Sequence, residues 1–379
     1  MFDFIYLDNG ATTPPDPDIL GGMCALQRNH FGNTSSAHRL GLDARKKLDS
    51  ARQRIGQALG VKAREITFTG GGTEAITLAL LGSAGARPGH IAYSQVEHSA
   101  VKESARWLKD KFGWTVDEIP VSQDGRVTEE SLRSTLTGTT RLIATMMVNN
   151  EIGSINDIEM VSRVVKECSP RARLIVDAVQ GFGKLAFNAS MIGADCVAIA
   201  AHKLHGPKGC GALWSRHELQ PVSKGGGQEF GRRGGTPSVA LAWALGEAYE
   251  RQTRDADYIR SLRDKLWEEL VRKVPEISLT GCPFGPTRIY NNIHICIPGL
   301  PTEPVINALS SAGVFVSGGS ACSAGRFSAV LAALGRKPED GAFLRLTVGR
   351  FNRHEEIPIA VDKLVAVINE LRPVYACPE

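Results

Sequence analysis

From about residue 65 onward the chain alternates short apolar runs with longer amphipathic ones. "ITFT" (66–69), "HIAYS" (90–94), "TRLIATMMV" (140–148) and "RLIVDAV" (173–179) read as buried strands, as does the run ending at Ala201. Between them, residues 73–84, 99–112 and 158–168 place apolar side chains at helical spacing. Near-continuous apolar strands alternating with amphipathic helices predict an α/β chain, its sheet mostly parallel and covered on both faces. Ligands of such sheets bind outside the carboxyl ends of the strands. A helical stretch over 237–274 leads into a second part. There, strands at 291–297 and 343–348 and a last helix at 357–371 predict a smaller α+β unit. No internal repeat or low-complexity segment interrupts this pattern.

Composition narrows the class without naming a function. Hydrophobic residues make up 42% of the 379 and charged residues 22%, as in ordinary globular proteins. A formal net charge of +4 is too small to argue for direct nucleic acid binding. No apolar run approaches the ~18 residues of a membrane span, and the opening "MFDFIYLDNG" lacks the basic start of a secretory signal. The expected location is cytoplasmic, with no membrane association. The eight cysteines are scattered without a C-x-x-C pair, which supports neither a zinc site nor a disulfide framework.

The candidate chemistry sits at the strand ends. After the apolar run 197–201 come His202, Lys203 and a glycine-rich loop. A lysine there is ordinarily solvated, but a desolvated lysine can serve as a Schiff-base amine. After "LIV" comes Asp177, a carboxylate that requires a cation if buried, with Gln180 one turn on. "ITFT" runs into "GGGTEA", where Gly72 and Thr73 would open a helix suited to an anion. His98 follows "HIAYSQVE". Taken singly, each is ordinary. Together they supply what pyridoxal 5'-phosphate requires: an imine-forming lysine, a carboxylate for the pyridine nitrogen, a phosphate cup and a flat ring to stack.

Two further residues stand out in the second part. Cys322, in "VSGGSACSAGRFSAV", lies among small residues and glycines, a setting where a thiol can act as a nucleophile. Arg345, in "FLRLTVGR", occupies an alternating strand. It needs either an internal ion pair or a substrate carboxylate.

These residues belong to motifs that resemble those of the cysteine desulfurases, fold type I pyridoxal phosphate enzymes of the class V aminotransferase group. The matching stretches run nearly end to end: "YLDNGATTP" (6–14), "FGNTSSAHRLG" (31–41), "FTGGGTEA" (68–75), Glu97–His98, "VNNEIG" (148–153), "VDAVQ" (176–180), "HKLHGPKGCGAL" (202–213), "GGGQE" (225–229), Gly235–Thr236, "SGGSAC" (317–322) and "LRLTVGR" (344–350). The resemblance implies a large domain over 15–255 with a seven-stranded sheet. It also implies a small domain over 1–14 and 256–379 that carries the cysteine loop.

The resemblance assigns roles by position. Lys203 would form the imine and Asp177 would face the ring nitrogen. Gln180 would bond the ring oxygen, and His98 would stack and move protons. Gly72, Thr73 and His202 would hold the phosphate, with Thr236 arriving from the other subunit of a homodimer. Asn33, Asn150 and Arg345 would orient L-cysteine. Cys322 would take the substrate sulfur as a persulfide, releasing alanine, and pass it to an acceptor protein.

The chain departs from the family pattern in three places. Ala200 stands where the family usually has a phosphate-binding serine. The loop after Cys322 is short and lacks Leu-Glu-Pro. The chain also ends soon after its last helix, without the tail some members use to grip an iron–sulfur scaffold. Sulfur delivery to a thiolation enzyme acting on nucleic acid is therefore weighed beside iron–sulfur assembly. The competing readings are a selenocysteine lyase or kynureninase-like lyase that does not use Cys322, and a non-catalytic dimeric scaffold.

Overall fold

The computed structural model describes residues 4–85, 87–319 and 327–375. Its central element is a seven-stranded sheet. In spatial order the strands are Ile66–Thr69, Gly211–Ser215, Cys196–Ala200, Arg173–Asp177, Thr140–Met146, His90–Ser94 and Thr115–Ile119. Gly211–Ser215 alone runs antiparallel, to the neighbour on each side. Every other pairing is parallel.

The inner strands are apolar on both faces because both faces are covered. In Cys196–Ala200, Val197 and Ile199 pack into one cluster and Cys196 and Ala198 into the other. The second cluster lies under the helices Gly72–Ser83 and Ser99–Phe112, which contribute Ile76, Leu80, Val101 and Leu108. The first receives Val161 and Val164 of Ile158–Cys168, Ile55 and Leu59 of Arg39–Leu59, and Leu245 of Val239–Arg254.

The smaller unit is built on an antiparallel sheet of Ala342–Thr347, Asn292–Ile297 and Ser278–Leu279. Around it lie the helices Ala256–Lys273, Thr302–Ser311 and Glu356–Tyr375. The N-terminal strand Ile5–Tyr6 pairs in parallel with Val314–Phe315. No helix among the described residues is long and apolar enough to cross a membrane.

Several expected bounds shift. The helical stretch over 237–274 is two helices, Val239–Arg254 and Ala256–Lys273, divided at Asp255. The strand at 173–179 stops at Asp177, whose Oδ1 accepts the Val179 N–H at 2.9 Å and turns the chain. The strand from Thr140 stops at Met146.

One core residue of the small unit is poorly matched to its place. His294 lies in the middle strand, opposite Arg345, and is 0% exposed. Neither ring nitrogen has a hydrogen-bond partner among the described residues. Burial, helped by Arg288 and Arg345, pushes its pKa down to about 3. A folded pKa below the unfolded value near 6.5 means that stability is present above that value and is lost as pH falls. His294→Leu is therefore expected to stabilise the protein by about 1–3 kcal/mol, by removing unpaired buried polar atoms. The gain should be larger at pH 5.5 than at pH 8 in thermal denaturation. A loss of stability at both pH values would count against the unpaired state of the imidazole.

Candidate active site

The parallel strands all present their carboxyl ends to the same edge of the sheet, and four of the predicted residues follow those ends. Lys203 closes the short 3₁₀ turn Ala201–Lys203 directly after Cys196–Ala200. Asp177 is the last residue of the adjacent strand. His98 caps the helix Ser99–Phe112, its Nδ1 accepting the Ala100 N–H at 3.1 Å. Gly72 begins the helix Gly72–Ser83, whose N-cap, Gly71, makes no side-chain capping bond. The first N–H groups of that helix therefore keep their capacity to bind an anion.

These residues converge on a cavity of about 290 Å³ lined by Gly10, Gly72, His98, Asp177, Lys203 and Arg345. Thr73, Asn150, Gln180 and His202 also line it. Ala11, Gly72, Thr73 and His202 are shared with a wider cavity of about 750 Å³. Two glycines are required by close packing here. A Cβ on Gly72 would lie 2.6 Å from Val179 Cγ2, and one on Gly211 would lie 2.7 Å from both the Gly71 carbonyl carbon and Ile199 O.

The Lys203 amine is held by backbone. Its Nζ donates to Gly10 O and Ala11 O, each at 2.7 Å. The same N-terminal segment is laced to the Lys203 turn: Thr13 N and Oγ1 both donate to His202 O, and Asp16 N donates to His205 O. Asp177 is buried, which raises its pKa. The Val179 N–H and the charges of His98 and Lys203 act the other way. Burial lowers the His98 pKa, against the pull of Asp177 and with the push of Lys203. Burial thus favours the neutral form of the His98 imidazole. Glu97 is buried beside Asp177, accepts the Met146 N–H at 2.6 Å, and is held well above the carboxylate range by burial first and Asp177 second.

Arg345 makes the internal ion pair that its sequence context called for. Nη2 pairs with Asp8 Oδ1 at 2.7 Å, and Nη1 donates to Asn150 O at 2.7 Å. Its Nε has no acceptor among the described residues, and the residue lines the cavity.

Two expected residues are not brought to this cavity within one chain. Asn33 is exposed, its Oδ1 accepting from Ser35 N. Thr236 is exposed and lines a separate recess with Gly70, Cys210 and Arg233. Cys322 lies outside the described residues. Sequence reasoning missed Asp8 and the carbonyls of Gly10 and Ala11. The only signal was the motif "YLDNGATTP", whose contribution comes largely through backbone atoms.

The donor set fits pyridoxal phosphate: an amine in the cavity, a buried carboxylate one strand away, an imidazole, and an uncapped helix start at the cavity's edge. The family described as Aminotransferase class-V matches residues 5–359. The chain belongs to this family. Class V enzymes depend on pyridoxal phosphate, and so does this member. Among its relatives, cysteine desulfurase IscS 1 of Archaeoglobus fulgidus is 36% identical, across 98% of this chain and 99% of the relative. Cysteine desulfurase IscS of Dictyoglomus turgidum is 35% identical, across 98% and 96%. Of the solved structures, a NifS-like protein superposes with a TM-score of 0.89 at 31% identity, covering 97% of this chain and all of that one. SspA in complex with cysteine gives 0.82 at 29% identity, covering 92% of this chain and all of that one.

Proposed function

We propose that the chain is a cysteine desulfurase, converting L-cysteine to L-alanine and leaving the sulfur as a persulfide on Cys322. The observation that carries this reading is the Lys203 amine in one cavity with Asp177, His98 and Arg345. The full-length likeness to named cysteine desulfurases supports it. When bound, pyridoxal phosphate supplies an electron sink for bonds at the Cα of an amino acid.

The chain's own residues would then act as follows. Gly10 and Ala11 would hold the Lys203 amine in the cavity through their carbonyls. Asp177 presents negative charge to the ring nitrogen, and Gln180 bonds the ring oxygen. His98, whose neutral form burial favours, would stack on the ring and accept and return protons. The helix start at Gly72 and Thr73, with His202, takes the phosphate. The serine hydroxyl missing at Ala200 places more of that task on these groups. Arg345 and Asn150 orient the substrate carboxylate. Asn33 and the partner's Thr236 complete the site in a homodimer. We place the domain division at 15–255 for the large unit, and at 1–14 with 256–379 for the small one. The enzyme works in the cytoplasm and passes sulfur to an acceptor protein of iron–sulfur assembly or nucleic acid thiolation.

The test is alanine release from L-cysteine in the presence of reductant, with Cys322→Ala measured beside the wild type. The wild type is expected to form alanine, and the variant at least about a hundredfold less. Equal rates would replace this reading with that of a lyase independent of Cys322. A protein that takes up no cofactor would leave only the scaffold.

A further inference from the structure

A buried lysine lies behind Gln180. Lys184 follows the strand Arg173–Asp177 within the turn "AVQGFGK" and is 8% exposed. Among the described residues it has no carboxylate partner. A desolvated, unpaired ammonium is costly, and an apolar side chain of similar size would serve packing better. Its position is explained by what it touches.

Lys184 Nζ donates to Gln180 Oε1 at 3.2 Å. The Gly10 carbonyl can only accept and a protonated Lys184 can only donate, so the two contacts together fix the amide: oxygen toward Lys184 and Nε2 toward Gly10 O, at 2.8 Å. Gly10 O also accepts from Lys203. A continuous chain of contacts thus runs from Lys184 through Gln180 and the Gly10 carbonyl to Lys203. The charged groups around Lys184 are basic. Burial, then Lys203 and Arg345, brings its pKa down to about 7, and its charge in turn depresses His202 and His205.

We propose that Lys184 is a positioning residue for the cofactor, locking the Gln180 amide with Nε2–H toward the ring oxygen and placing a positive charge behind it. This rests on the reading that Gln180 meets that oxygen. Without Lys184 the amide keeps only the Gly10 carbonyl to orient it, and its oxygen is held away from the negatively charged ring oxygen less firmly.

The test compares Lys184→Met, Gln180→Leu and the double variant. The readouts are cofactor binding to the apoprotein, the pH titration of the bound cofactor's absorbance, and apoprotein Tm. For Lys184→Met, the dissociation constant should rise by about tenfold. The titration midpoint should move up by about one unit, because a nearby cation has gone. The apoprotein Tm should stay level or rise, since a desolvated charge has been removed. In affinity the double variant should match Gln180→Leu alone, while its midpoint should keep the upward shift due to the lost cation. If Lys184→Met leaves affinity and midpoint unchanged while Gln180→Leu alters them, the inference falls and the reading of Gln180 stands. If Gln180→Leu is itself silent, both fall. Additive effects on affinity would mean that Lys184 does not act through Gln180, and would also overturn it. Should Lys184→Met fail to fold, Lys184→Gln, which keeps a donor of shorter reach, is expected to retain the amide lock in part and shift the midpoint upward. A midpoint equal to the wild type's would sink the idea.

Discussion

Replacing Lys203 by alanine is expected to lower alanine formation from L-cysteine by about four orders of magnitude, because the substitution removes the nucleophilic amine itself. That loss corresponds to about 5.5 kcal/mol of barrier. The geometry explains why no neighbour can substitute. The amine is fixed on the Gly10 and Ala11 carbonyls at the end of a fully buried strand. The other cavity-lining bases with an exchangeable proton are His98, whose Nδ1 is engaged as a helix cap, and His202, whose Nδ1 lies 3.2 Å from Thr12 Oγ1. The variant should also lose the absorbance of the covalently held cofactor. Retention of more than about a tenth of wild-type turnover would remove Lys203 from its assigned role.

Asp177→Asn should follow with a loss of about a thousandfold in kcat, as when a preorganised electrostatic partner is removed, while cofactor still binds. The asparagine Oδ1 can accept the Val179 N–H in place of the aspartate oxygen, so the local turn survives. Stability should move the opposite way from activity. The folded pKa of Asp177 is raised by burial, so its contribution to stability is present at low pH and lost as pH rises through that value. Glu97 acts with the same sign. The apoprotein of Asp177→Asn should therefore melt above the wild type at pH 8, and the gap should narrow toward pH 5. A variant less stable at pH 8 with unchanged kcat would show Asp177 to be structural only.

The legibility of this site followed the chemistry of its parts. Asp177 and Lys203 stand at the ends of apolar runs and Gly72 and His98 a few residues beyond them, so their positions were legible, and their combination rather than any one of them gave the chemistry. The parallel order of the inner strands was legible because their two covered faces leave continuous apolar sequence. Other features left little trace. The edge strand Thr115–Ile119 is mostly exposed and reads "TVDEI". The helix Arg39–Leu59 buries Gly41, Ala44, Ala51 and Arg52 beside its leucines, which dilutes its apolar stripe. The reversed direction of Gly211–Ser215 is set by pairing, which residue type does not encode. The cradle around Lys203 is made of carbonyls, and any residue supplies a carbonyl.

The N-terminal segment that forms this cradle also sets an order of assembly. Asp8 pairs with Arg345 across 337 positions of sequence, and Asn9 bonds Asn352 across 343. Contacts of such separation form late, since the closing of long loops must precede them. During synthesis the first residues emerge and wait, while the strand Cys196–Ala200 and its lysine fold without them. The pocket for the cofactor closes only when residues 345–352 have been made and docked.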